Sequence, residues 1–269
     1  MKLTYLGTAA AEGFPAIFCN CEYCNEARRL GGKNVRTRSQ AIINDDLLID
    51  FPPDTYAHFL ANGIRGDKIK HLIVTHSHHD HLFPEDFDMR HSCYAHNVEV
   101  PTLHVYCSSV TAARIGEAPP SIEVHILNAY ETVALDGYEL TALPARHMPG
   151  GEPFIYIIRG DKTLLYANDT GFLYGEVLDY IKESGTVFDM VSLDCTYVGN
   201  ITTDEDGHMG LANNARLLTR LEELGAINEK TLKYVNHFSH NGNPLHHLLE
   251  GWAAQIGCLA SYDGLTVEF

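Results

Sequence analysis

The chain has 269 residues, 45% of them hydrophobic and 20% charged, the profile of a folded globular protein and not of a disordered one. Its formal net charge of −16 repels polyanions and excludes a long nucleic-acid footprint, which requires a basic stripe. No apolar run approaches the roughly 18–20 residues needed to cross a bilayer, and the opening MKLTYLGTAA lacks the apolar centre of a signal peptide. The expectation is a cytoplasmic protein without a membrane partner.

The strand-like run LTYLG comes first, followed by Cys19, Cys21 and Cys24, three of the seven cysteines, in a C-x-C-x-x-C arrangement on a loop. Thiolates so spaced can occupy three corners of a tetrahedral zinc site; the alternatives are a redox pair or unligated thiols. Residues 28–38, RRLGGKNVRTR, carry five basic side chains, either facing an anionic group or forming a solvated loop. Strands QAIIN and LLIDF follow, then a helix over 54–63 and the strand HLIVTH, which runs into THSHHDH at residues 75 to 81. Pro84 opens a predicted helix over 84–92. Further along come LHVYC, a helix over 109–116, EVHIL, ELTALPA, FIYIIRG and TLLYAND, with His147 and Asp169 just past the ends of two of these strands. Helices are expected over 173–184, 211–224 and 245–256, the last opened by Pro244, and MVSLDCT and YVNHF are the last strands. Cys93, Cys107, Cys195 and Cys258 lie in or beside apolar segments and read as small buried hydrophobes.

No repeat, low-complexity tract or linker marks a boundary, so one domain is expected over 1–269. Early hairpins followed by strands alternating with helices point to sheets between helical layers, an α/β protein with a four-layer αββα sandwich.

Strand ends at a sheet rim are where α/β proteins present functional groups. His76 and His78 alternate along the chain and can converge on one metal, while Asp80 and His81 turn toward a second. His147, Asp169 and His237 occupy comparable strand ends, although each taken alone reads more readily as a capped turn residue than as a ligand.

HxHxDH followed by His, Asp and His at strand ends resembles the metallo-β-lactamase superfamily, and the match in order covers nearly the whole chain. The resemblance implies that His76, His78 and His147 hold one divalent metal, Asp80, His81 and His237 the other, and Asp169 bridges them. It implies Mn or Zn in that dinuclear site. The superfamily's β-lactamases place a cysteine among these ligands, so antibiotic hydrolysis is not expected. For the three cysteines, His240 is the best fourth ligand of a structural zinc, because it lies three residues beyond His237; His246 and His247 read as helix residues.

GTAAAEGFPAIFCNCEYC, THSHHDH, YANDTG and NHFSH together resemble the cyclic phosphodiesterases of the carbon–phosphorus lyase pathway, in which a zinc knuckle sits beside a dinuclear site. The start of the chain is also similar to the B proteins of pyrroloquinoline quinone biosynthesis, whose dinuclear motif is degraded; here it is intact. The implied activity is hydrolysis of a small phosphodiester, cyclic ones included, by a hydroxide that two metals share, with Asp80 as the residue on which catalysis rests. His208 in DGHMG is the candidate to protonate the leaving oxygen or to contact phosphate, against the reading of an exposed loop histidine. Asp194 in VSLDCT orients a ligand imidazole or is a turn carboxylate. Competing readings are a thioester or lactone hydrolase on the same metals and a non-catalytic biosynthetic accessory protein. The expected partner is a small phosphodiester, and a homodimer is one arrangement open to the chain.

Overall fold

Strand after strand in this chain is apolar on both faces, and the reason is its place in the architecture. The computed structural model describes residues 1–269. A first sheet holds β1 (Lys2–Gly7), β2 (Gln40–Ile43), β3 (Leu47–Ile49), β4 (His71–Ile73), β5 (Leu103–Cys107) and β6 (Ile122–Ile126). A second holds β7 (Thr132–Leu135), β8 (Tyr138–Pro144), β9 (Phe154–Arg159), β10 (Thr163–Ala167), β11 (Met190–Asp194), β12 (Leu232–Asn236) and β13 (Leu259–Ala260). The last strand, β14 (Thr266–Glu268), returns to the first sheet beside β1, giving seven strands in each. Both sheets begin with antiparallel pairs and end with parallel ones, so β3 to β6 and β10 to β13 point their carboxyl ends the same way within each sheet.

Between the sheets lies one core, including Leu3, Tyr5, Ile43, Tyr156, Tyr166 and Tyr234. Its large tyrosines are tolerated because their hydroxyls are satisfied: Tyr5 donates to Ser192 Oγ at 2.9 Å and Tyr156 to the Val74 carbonyl at 2.7 Å. On the outer face of the first sheet, Leu48, Leu72 and Val105 pack with Phe87 and with residues of α2 (Thr55–Asn62) and α3 (Ser109–Ile115). The outer face of the second is covered by α4 (Gly175–Ser184), α5 (Leu211–Glu223) and α6 (His246–Ala254), through Val177, Ile181, Leu217, Leu221 and Leu249. Period-2 alternation assigns the faces: Leu164 and Tyr166 of β10 point between the sheets, Leu165 and Ala167 toward the helices. Helix, sheet, sheet, helix is the αββα sandwich expected from the sequence.

Some local expectations fail. The helix expected over 84–92 is a 3-10 segment, Pro84–Arg90, whose interior carries the poor helix formers Asp86 and Asp88. The cysteine segment is not all loop, because a short helix spans Glu22–Leu30, capped by Cys21, whose sulfur accepts from the Cys24 N–H. Cys93 is exposed, in irregular chain after the 3-10 segment, whereas Cys107, Cys195 and Cys258 are buried. The basic run is not simply a solvated loop, and the anionic groups it meets are the chain's own carboxylates. Arg36 is 2% exposed and donates to Thr8 Oγ1 and the Ser261 carbonyl, Arg38 pairs with Asp54, and Arg28 donates to the Cys19 carbonyl.

Leu165 is fully buried between β10 and the helical layer. Leu165→Ala should therefore destabilise the protein by ~2–5 kcal/mol through lost apolar burial and the cavity left behind; a shift in the urea midpoint corresponding to under ~1 kcal/mol would contradict this placement of the core.

Candidate metal centre

The parallel strands of both sheets deliver their carboxyl ends to one rim, and the charged and imidazole residues follow directly after them. His76, His78, Asp80 and His81 come after β4, His147 after β8, Asp169 after β10 and His237 after β12. The seven converge. His76 Nε2 and His147 Nε2 lie 2.9 and 3.2 Å from His78 Nδ1. On the other side, Asp169 Oδ2 lies 2.8 Å from His81 Nε2 and 3.0 Å from His237 Nε2, with Asp80 Oδ2 at 3.4 Å from His81 Nε2. Asp169 Oδ1 reaches toward the first group, 3.8 Å from His147 Nε2. Two sets, His76–His78–His147 and Asp80–His81–His237, each keep their ligand atoms within 4.8 Å of one another, and Asp169 stands between them.

The two imidazole contacts of His78 have hydrogen-bond geometry, but the approaches to Asp169 do not. His81 Nε2, His237 Nε2 and Asp169 Oδ2 are buried without any hydrogen-bond partner despite their proximity. Unpartnered buried polar atoms are costly, and donors that approach within 3 Å without aiming at one another are disposed as ligands of a common cation. Charge argues the same way. Burial opposes charge on the His81 imidazole, but Asp169, Asp50 and Asp80 outweigh it and raise its proton affinity well above the ordinary imidazole value. Asp80 and Asp169 are likewise held well below the usual carboxylate range, burial being outweighed by His81 for the first and by His237 and His81 for the second. A divalent cation would satisfy all three orphaned atoms, so the donor set around Asp169 fits a metal, and the clustered nitrogens of His76, His78 and His147 are spaced as a ligand set as well.

The outward nitrogens are fixed by two matching carboxylate–threonine pairs. Asp50, at the end of β3, accepts from His81 Nδ1 at 2.7 Å and from the Thr75 N–H and Oγ1 at 2.8 and 2.9 Å, and Thr75 Oγ1 in turn accepts from His76 Nδ1 at 3.1 Å. Asp194, at the end of β11, accepts from Thr196 Oγ1 at 3.0 Å, which accepts from His237 Nδ1 at 2.8 Å. Asp194 also accepts from His208 Nδ1 at 3.0 Å and from the Met209 N–H at 2.9 Å. Sequence reasoning found Asp194 and missed Asp50. The missed signal is positional: Ile49 pairs with Ile73, so Asp50 ends its strand level with the start of the histidine segment.

His208 stands at the open side of the cleft. Burial lowers its affinity for a proton, but the neighbouring Asp194 carboxylate more than compensates and raises it to about 9. Its loop approaches because residue 171 is glycine; a Cβ there would overlap the Asp206 carbonyl. The same loop offers the Gly207 carbonyl to His147 Nδ1 at 3.1 Å. Asp50, Asp169 and His237 adopt left-handed backbone at φ 64°, 49° and 63°, the kind of local strain that functional sites retain. The cleft of about 330 Å³ is lined by His78, Asp80, His147, Asp169, His208 and His237, and also by Glu12 and Tyr197.

Cys19, Cys21, Cys24 and His240 form a second group, again within 4.8 Å. Each sulfur accepts a backbone N–H: Cys19 from Cys21 at 3.4 Å, Cys21 from Cys24 at 3.4 Å and Cys24 from Ala16 at 3.3 Å. The Cys24 N–H, together with His240, brings the Cys21 thiol down to about 6 and so favours the thiolate that a zinc ion requires. His240 Nδ1 lies 3.7 Å from Cys24 Sγ. His246 and His247 open α6, and His246 Nδ1 lies 3.0 Å from an Arg36 nitrogen, away from the cysteines.

A profile of the Beta-lactamase superfamily domain matches residues 46–238, the stretch that contains all seven cleft residues. The chain belongs to this superfamily. Members of this superfamily are usually hydrolases and bind divalent metals. Coenzyme PQQ synthesis protein B of Acinetobacter baumannii (strain AYE) is 25% identical over 320 residues, covering 100% of both chains. Among solved structures, a diphosphatase from the PhnP family superposes with a TM-score of 0.74 at 23% identity, covering 100% of this chain and 97% of the other. Zn(2+)-bound PqqB from Methylobacterium extorquens gives 0.75 at 18% identity, covering 100% of both. These two structural likenesses show the fold.

Outer-layer partners of metal-binding histidines typically contribute 10–100-fold in metal affinity. Asp50→Asn, which keeps shape and removes charge, should weaken the tighter cleft metal by ~10–100-fold in a chelator competition while leaving the circular dichroism spectrum unchanged; unaltered affinity would contradict the assigned role of Asp50.

Proposed function

We propose that the protein is a dinuclear-metal phosphodiesterase acting on a small, compact phosphodiester. The observation that supports this most is the pairing of two convergent ligand sets around Asp169 with a proton-bearing His208 on the open side of the same cleft. His76, His78 and His147 would hold one divalent cation, Asp80, His81 and His237 the second, with Asp169 between them; Mn or Zn suits this nitrogen and oxygen donor set. When bound, such a pair supplies Lewis acidity at phosphorus and activates water at neutral pH.

The chain's own residues do the rest. The carboxylates of Asp80 and Asp169 are poised to offset cation charge, so that the loaded site can still accept an anionic diester. His208 holds a proton with Nδ1 committed to Asp194, which leaves Nε2 for the phosphate or for the leaving oxygen. The ring of Tyr197 stands edge-on to His208 at 5.7 Å and limits how that imidazole can turn. The neighbouring residues Gly207 and Met209 are themselves tied to His147 and Asp194, so the histidine is presented from a fixed loop. A zinc ion on Cys19, Cys21, Cys24 and His240 would be closed and structural.

The full-length similarity to Coenzyme PQQ synthesis protein B favours a second reading, a biosynthetic accessory protein without hydrolytic turnover. Turnover and metal stoichiometry separate the two. With Mn²⁺ or Zn²⁺ supplied, hydrolysis of bis(p-nitrophenyl) phosphate and of a cyclic ribose phosphate is expected to exceed that of a thioester; no turnover, with fewer than two metals beyond the cysteine site, would establish the accessory reading instead.

Asp80→Ala should reduce turnover to background with the fold retained, and near-normal turnover would refute the assignment. His208→Ala should lower kcat/KM by roughly 10²–10⁴-fold, as loss of a positioned proton donor does, with the alkaline limb of the pH profile abolished. Cys21→Ser is expected chiefly to lower Tm, and a variant with full stability and one fewer zinc would show that the knuckle does not brace the fold.

A further inference from the structure

A second row of imidazoles lies at the other end of the first sheet from the cleft. His71 opens β4 and pairs in register with His104 of β5, which pairs with Glu123 of β6; Tyr106 pairs with His125. Register partners in parallel strands share a face, so these side chains stand on one surface, the side that packs between the sheets. The row ends on β6, an edge strand with no neighbour on its far side. Nothing in the proposed hydrolysis uses it.

The spacing of the donor atoms is that of a ligand set. His104 Nδ1 lies 3.1 Å from His125 Nε2 and 3.4 Å from Glu123 Oε2, and Glu123 Oε1 lies 4.0 Å from His125 Nε2. Tetrahedral or octahedral ligands at about 2.0–2.1 Å from a metal sit about 2.9–3.4 Å apart. Stacking of Tyr106 on the His125 ring, at 4.7 Å and 16°, fixes one imidazole plane without blocking its nitrogens. His104 and His125 are each about one-third exposed at 34%, so an ion can enter from solvent.

His71 supplies an independent sign. It is 5% exposed, its ring is 5.9 Å from that of His104, and neither of its nitrogens has a hydrogen-bond partner. A buried imidazole with both nitrogens orphaned, next in line to a convergent His–His–Glu set, has no structural reason to be histidine on an apolar strand.

We propose that His104, His125 and Glu123 form a third metal site, outside the cleft and the cysteine cluster, that takes a borderline divalent cation such as Zn²⁺ or Ni²⁺ and clips edge strand β6 to β5, with His71 as the reserve ligand behind it. Two imidazoles and one carboxylate select such ions over Mg²⁺ or Ca²⁺, which prefer all-oxygen sites. The site leaves at least one coordination position to water.

The test uses the full chain loaded with three equivalents of Zn²⁺, enough for the two cleft positions and the cysteine cluster and no more. Equilibrium dialysis against Ni²⁺, with elemental analysis, should show one further equivalent in the wild type and none in the His104→Ala/His125→Ala double variant. Glu123→Gln should bind more weakly than wild type. Added Ni²⁺ should raise the Tm of the wild type and not that of the double variant, whose metal-free Tm should match the wild type because both side chains are partly exposed. Absence of an extra equivalent in the wild type, or its survival in the double variant, overturns the site and leaves a hydrogen-bonded histidine pair.

Discussion

A carboxylate buried among imidazoles where two sheets meet is the constraint on which the rest of the molecule depends. Asp169 is 3% exposed, and both of its oxygens face histidines from different strands. Isolated in an apolar interior, such a charge would be prohibitively expensive. The fold therefore has to bring positive or metal-binding partners to it from every side. The two sheets do this by ending their parallel strands at one rim. Separation of the sheets or slippage of one strand would expose the whole group, which ties the integrity of the inter-sheet core directly to the geometry of the cleft.

The rim works because each half of the molecule solves the same problem in the same way. Asp50 and Thr75 on the first sheet orient His81 and His76; Asp194 and Thr196 on the second orient His237 and, directly, His208. In both, the threonine hydroxyl donates to the carboxylate and accepts from an imidazole Nδ1. This fixes the tautomer and leaves Nε2 of His76, His81 and His237 facing inward. The difference is instructive: the carboxylate of the second pair also holds a histidine outside the ligand sets, His208, which lines the cleft.

Residue chemistry made the site legible, and packing made other parts illegible. THSHHDH at the end of an apolar strand announces metal chemistry by its composition, and His147, Asp169 and His237 could be attached to it because strand ends recur where a rim requires them. Asp50 was invisible for the opposite reason: one aspartate after LLI looks like any turn, and only the register of β3 against β4 places it beneath His81. The four-layer sandwich was readable because early hairpins give way to strands alternating with helices, an order that places sheets between helical layers. Strands of two and three residues, β13 and β14, carry too little pattern to be seen, and the helix over Glu22–Leu30 was hidden by the cysteines that overlap its start. The buried Arg36 was misread with its neighbours because a charge run conceals which member is enclosed.

The cysteine cluster gains its meaning from how the chain is threaded between it and the cleft. His237 and His240 stand on one short segment, and the N-terminal loop pairs with that segment: Ala10 donates to the Phe238 carbonyl at 3.0 Å, and Phe238 to that of Thr8 at 2.9 Å. Glu12 completes the link, accepting from Ser239 Oγ at 2.6 Å and from the His240 N–H at 3.1 Å while lining the cleft itself. A tetrahedral ion at the cysteines would thus lock a loop that has few apolar contacts of its own beyond Phe14, Ala16, Cys24, Ala27 and Leu245. Fixing that loop fixes Glu12 at the mouth of the cleft and the backbone that carries His237. A metal-filled knuckle would then act as a brace whose effect on the cleft runs through a carboxylate and a strand-like pairing, with no need for its own metal to approach a substrate.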